Sequence, residues 1–259
     1  MNSSNCLSMQ YKLLKDMYFD KKEETNDYIL CTSNILKDYF WNIAYIKNKL
    51  NDNILNEIEN KFKEIDCIPS LYIGRDDTYY EDNKQFILNN NYKLNDTDVI
   101  MILDNYKDTD ININIKVVKT ELDYNDYMYS LASAYNDNIE NPSENVYADS
   151  ITKEYYTAIK NSIGSSKTFN IVGYNNDNIP VSVATLNLVD GIGMINNVGT
   201  TQGHWNKGYS KQVLTYLIKL FRENGGNHLL LVTEHNSKNQ TYYEKLGFKE
   251  LYVMEQYMK

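Results

Sequence analysis

Arginine is nearly missing from this chain of 259 residues, occurring only at Arg75 and Arg222. A bound phosphate would have to rely on lysines and backbone amides, because bidentate guanidinium clamps are scarce. Glycine is scarce and lopsided. Of 11 glycines, only Gly74 precedes Gly164. The first half therefore cannot easily build a glycine-rich ligand loop, which needs backbone without a Cβ close to the ligand. Cysteine occurs three times, at Cys6, Cys31 and Cys67. The odd count and the spacings match no metal motif, so no metal is expected, and the thiols fit a reducing cytoplasm. No apolar run approaches the roughly 18 residues that span a bilayer. Met1 to Lys12 holds no apolar stretch of the signal-peptide kind.

What is present describes a folded chain. Hydrophobic residues make up 42% and charged residues 24%, well outside the disordered range. The net charge of -9 repels phosphate backbones and argues against nucleic acid and anionic membranes as general partners. It would attract cations, amines among them, although ordinary solubility accounts for it equally well.

In the first half, apolar residues from Thr32 to Leu50 recur at helical spacing, and Ile54 to Ile65 predicts a second amphipathic helix. Ser70 to Gly74 reads as a strand, Glu81 to Asn89 as a helix and Val99 to Leu103 as a buried strand. The polar run Asp104 to Asp110 is the candidate linker, dividing the chain into 1–110 and 111–259. The second half alternates: a strand at Ile113 to Val118, helices at Tyr124 to Tyr135 and Ser150 to Ser162, and strands at Phe169 to Gly173, Pro180 to Leu188 and Met194 to Thr200. A helix follows from Lys207 to Glu223, with a buried stripe of Val213, Leu214, Leu217, Leu220 and Phe221. Then come a strand at Leu229 to Val232, a helix Ser237 to Leu246 with Asn236 as N-cap and Gly247 beyond its end, and a last strand from Lys249 to Met258.

The stretch Val198-Gly-Thr-Thr-Gln-Gly-His-Trp-Asn-Lys-Gly-Tyr-Ser210 leaves a strand, passes through a glycine-bearing loop and starts a long amphipathic helix. That arrangement aims free N–H groups and the positive end of a helix dipole at one spot, where a pyrophosphate would be stabilised. It is not a Walker A loop, since the lysine precedes Gly208 and no Gly-Lys-Ser/Thr run occurs, and GxGxxG is absent.

The segment resembles motif A of the GNAT superfamily of acetyl-CoA-dependent N-acetyltransferases. Val198 and Thr200 match the strand, Gly208 the central glycine and Lys207 the frequent basic residue before it. Trp205 stands where Arg or Gln is usual, and Ser210 where Gly or Ala is usual. Asn236-Ser-Lys-Asn-Gln-Thr-Tyr-Tyr-Glu-Lys-Leu-Gly-Phe248 resembles the family's motif B, with Asn236, Tyr243, Gly247 and Phe248 in register and Asn239 in place of the usual Ala. The resemblance covers about residues 112 to 259.

It implies an α/β (α+β) fold with a mixed, mostly antiparallel sheet flanked by helices in 111–259. It also implies acetyl-CoA as cosubstrate and a small-molecule primary amine as acceptor. The implied cofactor-binding residues are Asn197, Val198, Gly199, Thr200, His204, Trp205, Asn206, Lys207, Gly208, Tyr209, Ser210, Asn236 and Tyr243. Tyr243 would be the general acid for the departing thiolate, with packing as its other reading among 24 tyrosines. The strand Met194 to Thr201 offers no acid, so Glu234 and His235 are the nearest candidates for general base, a solvated loop being the alternative for both. Ile87-Leu-Asn-Asn-Asn-Tyr-Lys-Leu94 parallels Tyr243-Glu-Lys-Leu-Gly-Phe-Lys-Glu250. The first half thus reads as a degenerate GNAT-like copy in tandem or as an unrelated α/β cap, expected to bind no cofactor. A homodimer is left open. The rival to an enzyme is a non-catalytic acyl-CoA-binding or protein-interaction module that keeps the fold.

Overall fold

The computed structural model describes residues 3–15, 17–135 and 153–259. It forms two compact units, residues 1–105 with 232–259, and residues 106–231. The boundary after Asn105 falls inside the expected linker, which carries no regular structure. The sequence division at 110 and this grouping by contact are different partitions. Residues 232–259 contain the second motif, Asn236 to Phe248, but pack with the first unit.

Elements α1 (Ser3–Leu14), β1 (Lys21–Glu24), β2 (Tyr28–Thr32), β3 (Ile43–Ile46), α2 (Asp52–Glu64), β4 (Ser70–Gly74), α3 (Tyr80–Asn89) and β5 (Lys93–Leu103) belong to the first unit. The second unit holds β6 (Asn114–Val117), α4 (Glu121–Tyr135), α5 (Lys153–Asn161), β7 (Thr168–Tyr174), β8 (Pro180–Val189), β9 (Ile192–Thr200) and α6 (Tyr209–Glu223). Strand β10 (His228–Glu234) begins in the second unit and ends in the first, where α7 (Lys238–Lys245) and β11 (Phe248–Met258) follow.

In the first unit the strands run β1-β2-β3-β4-β11-β5, with only the β3–β4 pair parallel among those registers. Tyr28, Leu30, Ala44, Ile46, Leu71 and Ile73 pack against Leu55, Ile58 and Phe62 of α2 and Ile87 of α3. Burying each large α2 side chain is worth about 1.5–3 kcal/mol. The α2 N-terminus is closed by its own N-cap, Asn51, whose Oδ1 accepts from Asn53 N and Ile54 N at 3.0 and 3.2 Å.

The helix expected from Thr32 to Leu50 does not form. Asp38 Oδ1 accepts the amides of Phe40 and Trp41, Ser33 Oγ accepts that of Leu36, and Asn42 binds Ser33 N and Leu36 O. These local side-chain bonds offer the backbone an alternative to the helical ladder. The apolar run Ile43 to Ile46 is instead a strand buried at every position, a pattern that short apolar runs share with helices.

In the second unit the order is β10-β9-β8-β7-β6, with β9–β10 the parallel pair. Asp190 and Gly191, both at positive φ, make the tight β8–β9 hairpin. Helix α6 buries Val213, Leu214, Leu217, Ile218 and Phe221, while Leu220 of the expected stripe is only half-buried. The expected helix at Ser150 to Ser162 is seen as α5 from Lys153; its first three residues lie outside the described ones.

One order occurs twice: β1-β2-β3-α2-β4-α3-β5 and β7-β8-β9-α6-β10-α7-β11. In both, the first three strands are antiparallel and the third and fourth parallel. The ends of α3 and α7 agree as well. Asn91 and Gly247 follow at φ 66° and 98°, and Tyr92 and Phe248 come next, both buried.

Candidate active site

The second unit places Asn197 to Ser210 at the end of β9 and the start of α6. Val183 pairs with Gly199 and Thr185 with Asn196, so one residue of β8 faces two of β9. This is a bulge at Asn197–Val198, and Asn197 sits at φ 53°. Tyr155 donates to Asn197 Oδ1 at 2.8 Å. Beneath it runs a buried polar chain. Tyr127 and Thr185 hydroxyls lie 2.6 Å apart, Thr185 donates to Asn170 Oδ1 at 2.7 Å, and Asn170 donates to Ser162 at 2.9 Å. Each link is satisfied, which is the condition for such a network to hold one geometry.

Past the bulge, among the described residues, β9 has a strand on one side only. Its pairing with β10 ends at Ile195↔Leu231, while β8 continues to Thr200. Gly199 O accepts from Ser182 Oγ and Thr201 N donates to Val181 O, so 199 and 201 face β8. Strand alternation then turns the backbone groups of Val198 and Thr200 to the open edge. Gly199 is required here, because a Cβ would come within 2.7 Å of Ala134 Cβ on α4.

The loop is pinned at its base. Gln202 N donates to Ser133 Oγ at 3.0 Å, and His204 N to Thr201 O at 3.1 Å. Gly203, Asn206 and Gly208 adopt left-handed φ of 76°, 61° and 76°. Gly208 is the N-cap of α6, and its own side chain supplies no cap hydrogen bond there, glycine having none. The first-turn amides of a helix have no partner within it, so an anion is favoured there. Lys207 Nζ folds back on Gly203 O at 3.1 Å. Arg222 stands at the other end of α6 near Asp108. Burial and Lys207 hold His204 below its usual pKa. Its ring Nδ1 is buried without a hydrogen-bond partner among the described residues.

The other expected residues lie in the first unit. Glu234 is exposed at the end of β10. His235 N donates to Thr97 O at 2.8 Å, and its Nε2 lies 3.6 Å from Glu250. Asn236 is not the N-cap of α7. It sits at φ 59°, and Ser237 caps instead, its Oγ accepting Gln240 N at 3.1 Å, while Gln240 Oε1 accepts Asn236 N at 2.6 Å. The Ser-x-x-Gln capping-box pattern was the available signal. Tyr243 is half-buried, edge-on to Tyr242 and Phe248 at centroid distances of 5.4 and 5.9 Å. No group of three His, Cys, Asp or Glu side chains among the described residues could hold a metal ion. No helix among them is long and apolar enough to cross a membrane.

Sequence reading missed Asp98. Strand β5 begins at Lys93, not Val99, which puts Asp96 and Asp98 two apart on one face. Burial first, then Asp96 and Glu234, push the Asp98 carboxyl up to about 7, opposed by a hydrogen bond from Tyr72 at 3.2 Å. An acid whose folded pKa is raised contributes stability below its unfolded pKa and loses it as pH rises through the folded one. Asp98→Asn should therefore raise the melting temperature at about pH 8 and leave it nearly unchanged at about pH 4. Equal shifts at both, measured by thermal denaturation, would refute the coupling.

Comparison with known proteins agrees with this geometry. Residues 128–248 match the acetyltransferase (GNAT) family model. The fold resembles a GCN5-related N-acetyltransferase from Kribbella flavida at TM-score 0.70 and 12% identity, covering 100% of this chain and 96% of that one. A functionally unknown conserved protein from Staphylococcus epidermidis gives TM-score 0.65 and 16% identity over 95% and 96% of the two chains. A tandem GNAT protein from the clavulanic acid biosynthesis pathway gives 0.56 and 7% over 90% and 78%. At these identities the likeness is one of fold. No curated protein matches the chain. Residues 128–248 thus resemble a domain of the acetyltransferase (GNAT) family.

Proposed function

We propose that the chain transfers an acetyl group from acetyl-CoA to the primary amine of a small molecule. The observation that carries this is the α6 N-terminus: a left-handed glycine at the N-cap, entered from a bulged strand that, among the described residues, pairs on one side there. The amides of Trp205 to Ser210 would take the pyrophosphate, and the edge Asn197 to Thr200 the pantetheine arm. The amine nitrogen attacks the thioester carbon, a backbone N–H of β9 holds the developing oxyanion, and the C–S bond breaks. Tyr243 would protonate the leaving thiolate. Glu234 remains the candidate base.

We assign this chemistry to residues 111–259 and read 1–110 as a degenerate copy. The repeated element order supports the tandem. The side-chain cap on α2 supports placing the cosubstrate in the second half, since Asn51 occupies the amides an anion would need. Free thiols at Cys31 and Cys67 fit a cytoplasmic setting.

A thermal-shift titration tests the binding half. Acetyl-CoA at about 100 times its Kd should add about 2.7 kcal/mol to stability, and Gly208→Val should abolish the shift. No shift at millimolar ligand overturns the reading. Thiol release with a panel of amines then separates an enzyme from an acyl-CoA-binding module.

A further inference from the structure

The open edge of β9 is already occupied. Tyr135, at the end of α4, donates its hydroxyl to Val198 O at 3.3 Å. Trp205, in the loop, donates its indole N–H to Thr200 O at 3.0 Å. Both carbonyls belong to the alternate residues that face away from β8, so they are the acceptors an incoming amide-bearing chain would need to extend the sheet. Both donors are side chains on flexible tethers, each 52% exposed. Rotamer changes of exposed side chains are fast.

We propose that Tyr135 and Trp205 form a removable cap on the β9 edge, standing in for the amide groups of an acyl-carrier arm and released when such an arm binds. The inference rests on the reading of this edge as the pantetheine site. It accounts for the departure of Trp205 from the family's usual residue. The tryptophan contributes a single indole N–H donor, and it satisfies a strand acceptor. It also predicts a division of labour. The α6 terminus would take pyrophosphate without moving the cap, and only a ligand with an arm would compete for Val198 O and Thr200 O.

The test uses the full chain, with acetyl-CoA and ADP as the two probes. Tyr135→Phe and Trp205→Phe keep the rings and remove the donors. Each should tighten acetyl-CoA about two- to tenfold, the range for one intramolecular hydrogen bond that need not be broken. The double variant should tighten it further, and ADP affinity should not rise in any of them. Acetyl-CoA, but not ADP, should also shift the emission of Trp205 in a Trp41→Phe background, which leaves Trp205 as the one tryptophan. If the parent binds acetyl-CoA and the variants bind it no more tightly, the cap is refuted while the site stands. If neither parent nor variants bind acetyl-CoA, the site reading falls and the cap with it.

Discussion

Phe221→Ala is expected to lower the unfolding free energy by about 3–5 kcal/mol, the range for truncating a fully buried phenylalanine. Phe221 is 3% exposed, on the last turn of α6. Two glycines make room for its ring. A Cβ on Gly193 would come within 2.7 Å of the ring carbons, and one on Gly226 would overlap them. Gly193 is paired in β9 to Leu229 of β10, and Gly226 N donates to Phe221 O as α6 ends. A backbone held on both sides cannot collapse readily into the space left by alanine, so the cavity cost should persist. The same ring clamps α6 against β9. The helix start at Tyr209 lies 12 residues upstream, about 18 Å along the axis. Loosening the distal end should therefore weaken acetyl-CoA binding far less than it weakens the fold. Urea unfolding with an unchanged m-value checks the first claim. A loss below about 1 kcal/mol would mean that the site relaxes and the two glycines are not the constraint described.

Where side-chain periodicity and capping agreed, the fold was legible in the residues alone. Ser70 to Gly74 is the strand the sequence predicts, and Ile54 to Ile65 lies within one residue of the end of α2. The strand–loop–helix from Val198 to Ser210 is also where its glycines placed it, because a left-handed Gly208 ahead of an apolar stripe leaves few alternatives. What stayed hidden depends on partners distant in sequence. Nothing in Asn197 itself announces a bulge; it follows from the register against Val183 and Thr185 and from the Tyr155 hydroxyl. Asp98 lies just outside the expected strand Val99 to Leu103 until β5 is extended to Lys93 by its pairing with β11. Its raised pKa then follows from burial and from Asp96 and Glu234. Ile43 to Ile46 misled for the opposite reason: four apolar residues suit either a helix face or a buried strand, and the choice was made by the Asp38 and Asn42 side chains binding the chain before them.

Tyr243→Phe should lower kcat by about 100-fold with KM changed less than about threefold. The size follows from chemistry. General acid catalysis is worth about 10²–10⁴, but a thiolate is a tolerable leaving group that water can also protonate. Ordinary phenols are weaker acids than thiols, so full proton transfer ahead of C–S cleavage is unfavourable and the benefit should sit at the low end. Phenylalanine preserves the edge-on contacts with Tyr242 and Phe248. That separates the two readings of this residue: a ring-packing role would spare kcat, whereas an acid role would not. The pH profile gives an independent readout. A general acid must be protonated, so the parent's kcat should fall at alkaline pH, and the variant should lose that limb. The measurement has meaning only where chemistry limits turnover, which a single-turnover assay establishes. Full kcat in Tyr243→Phe under that condition would leave the tyrosine a packing residue and hand the proton to solvent.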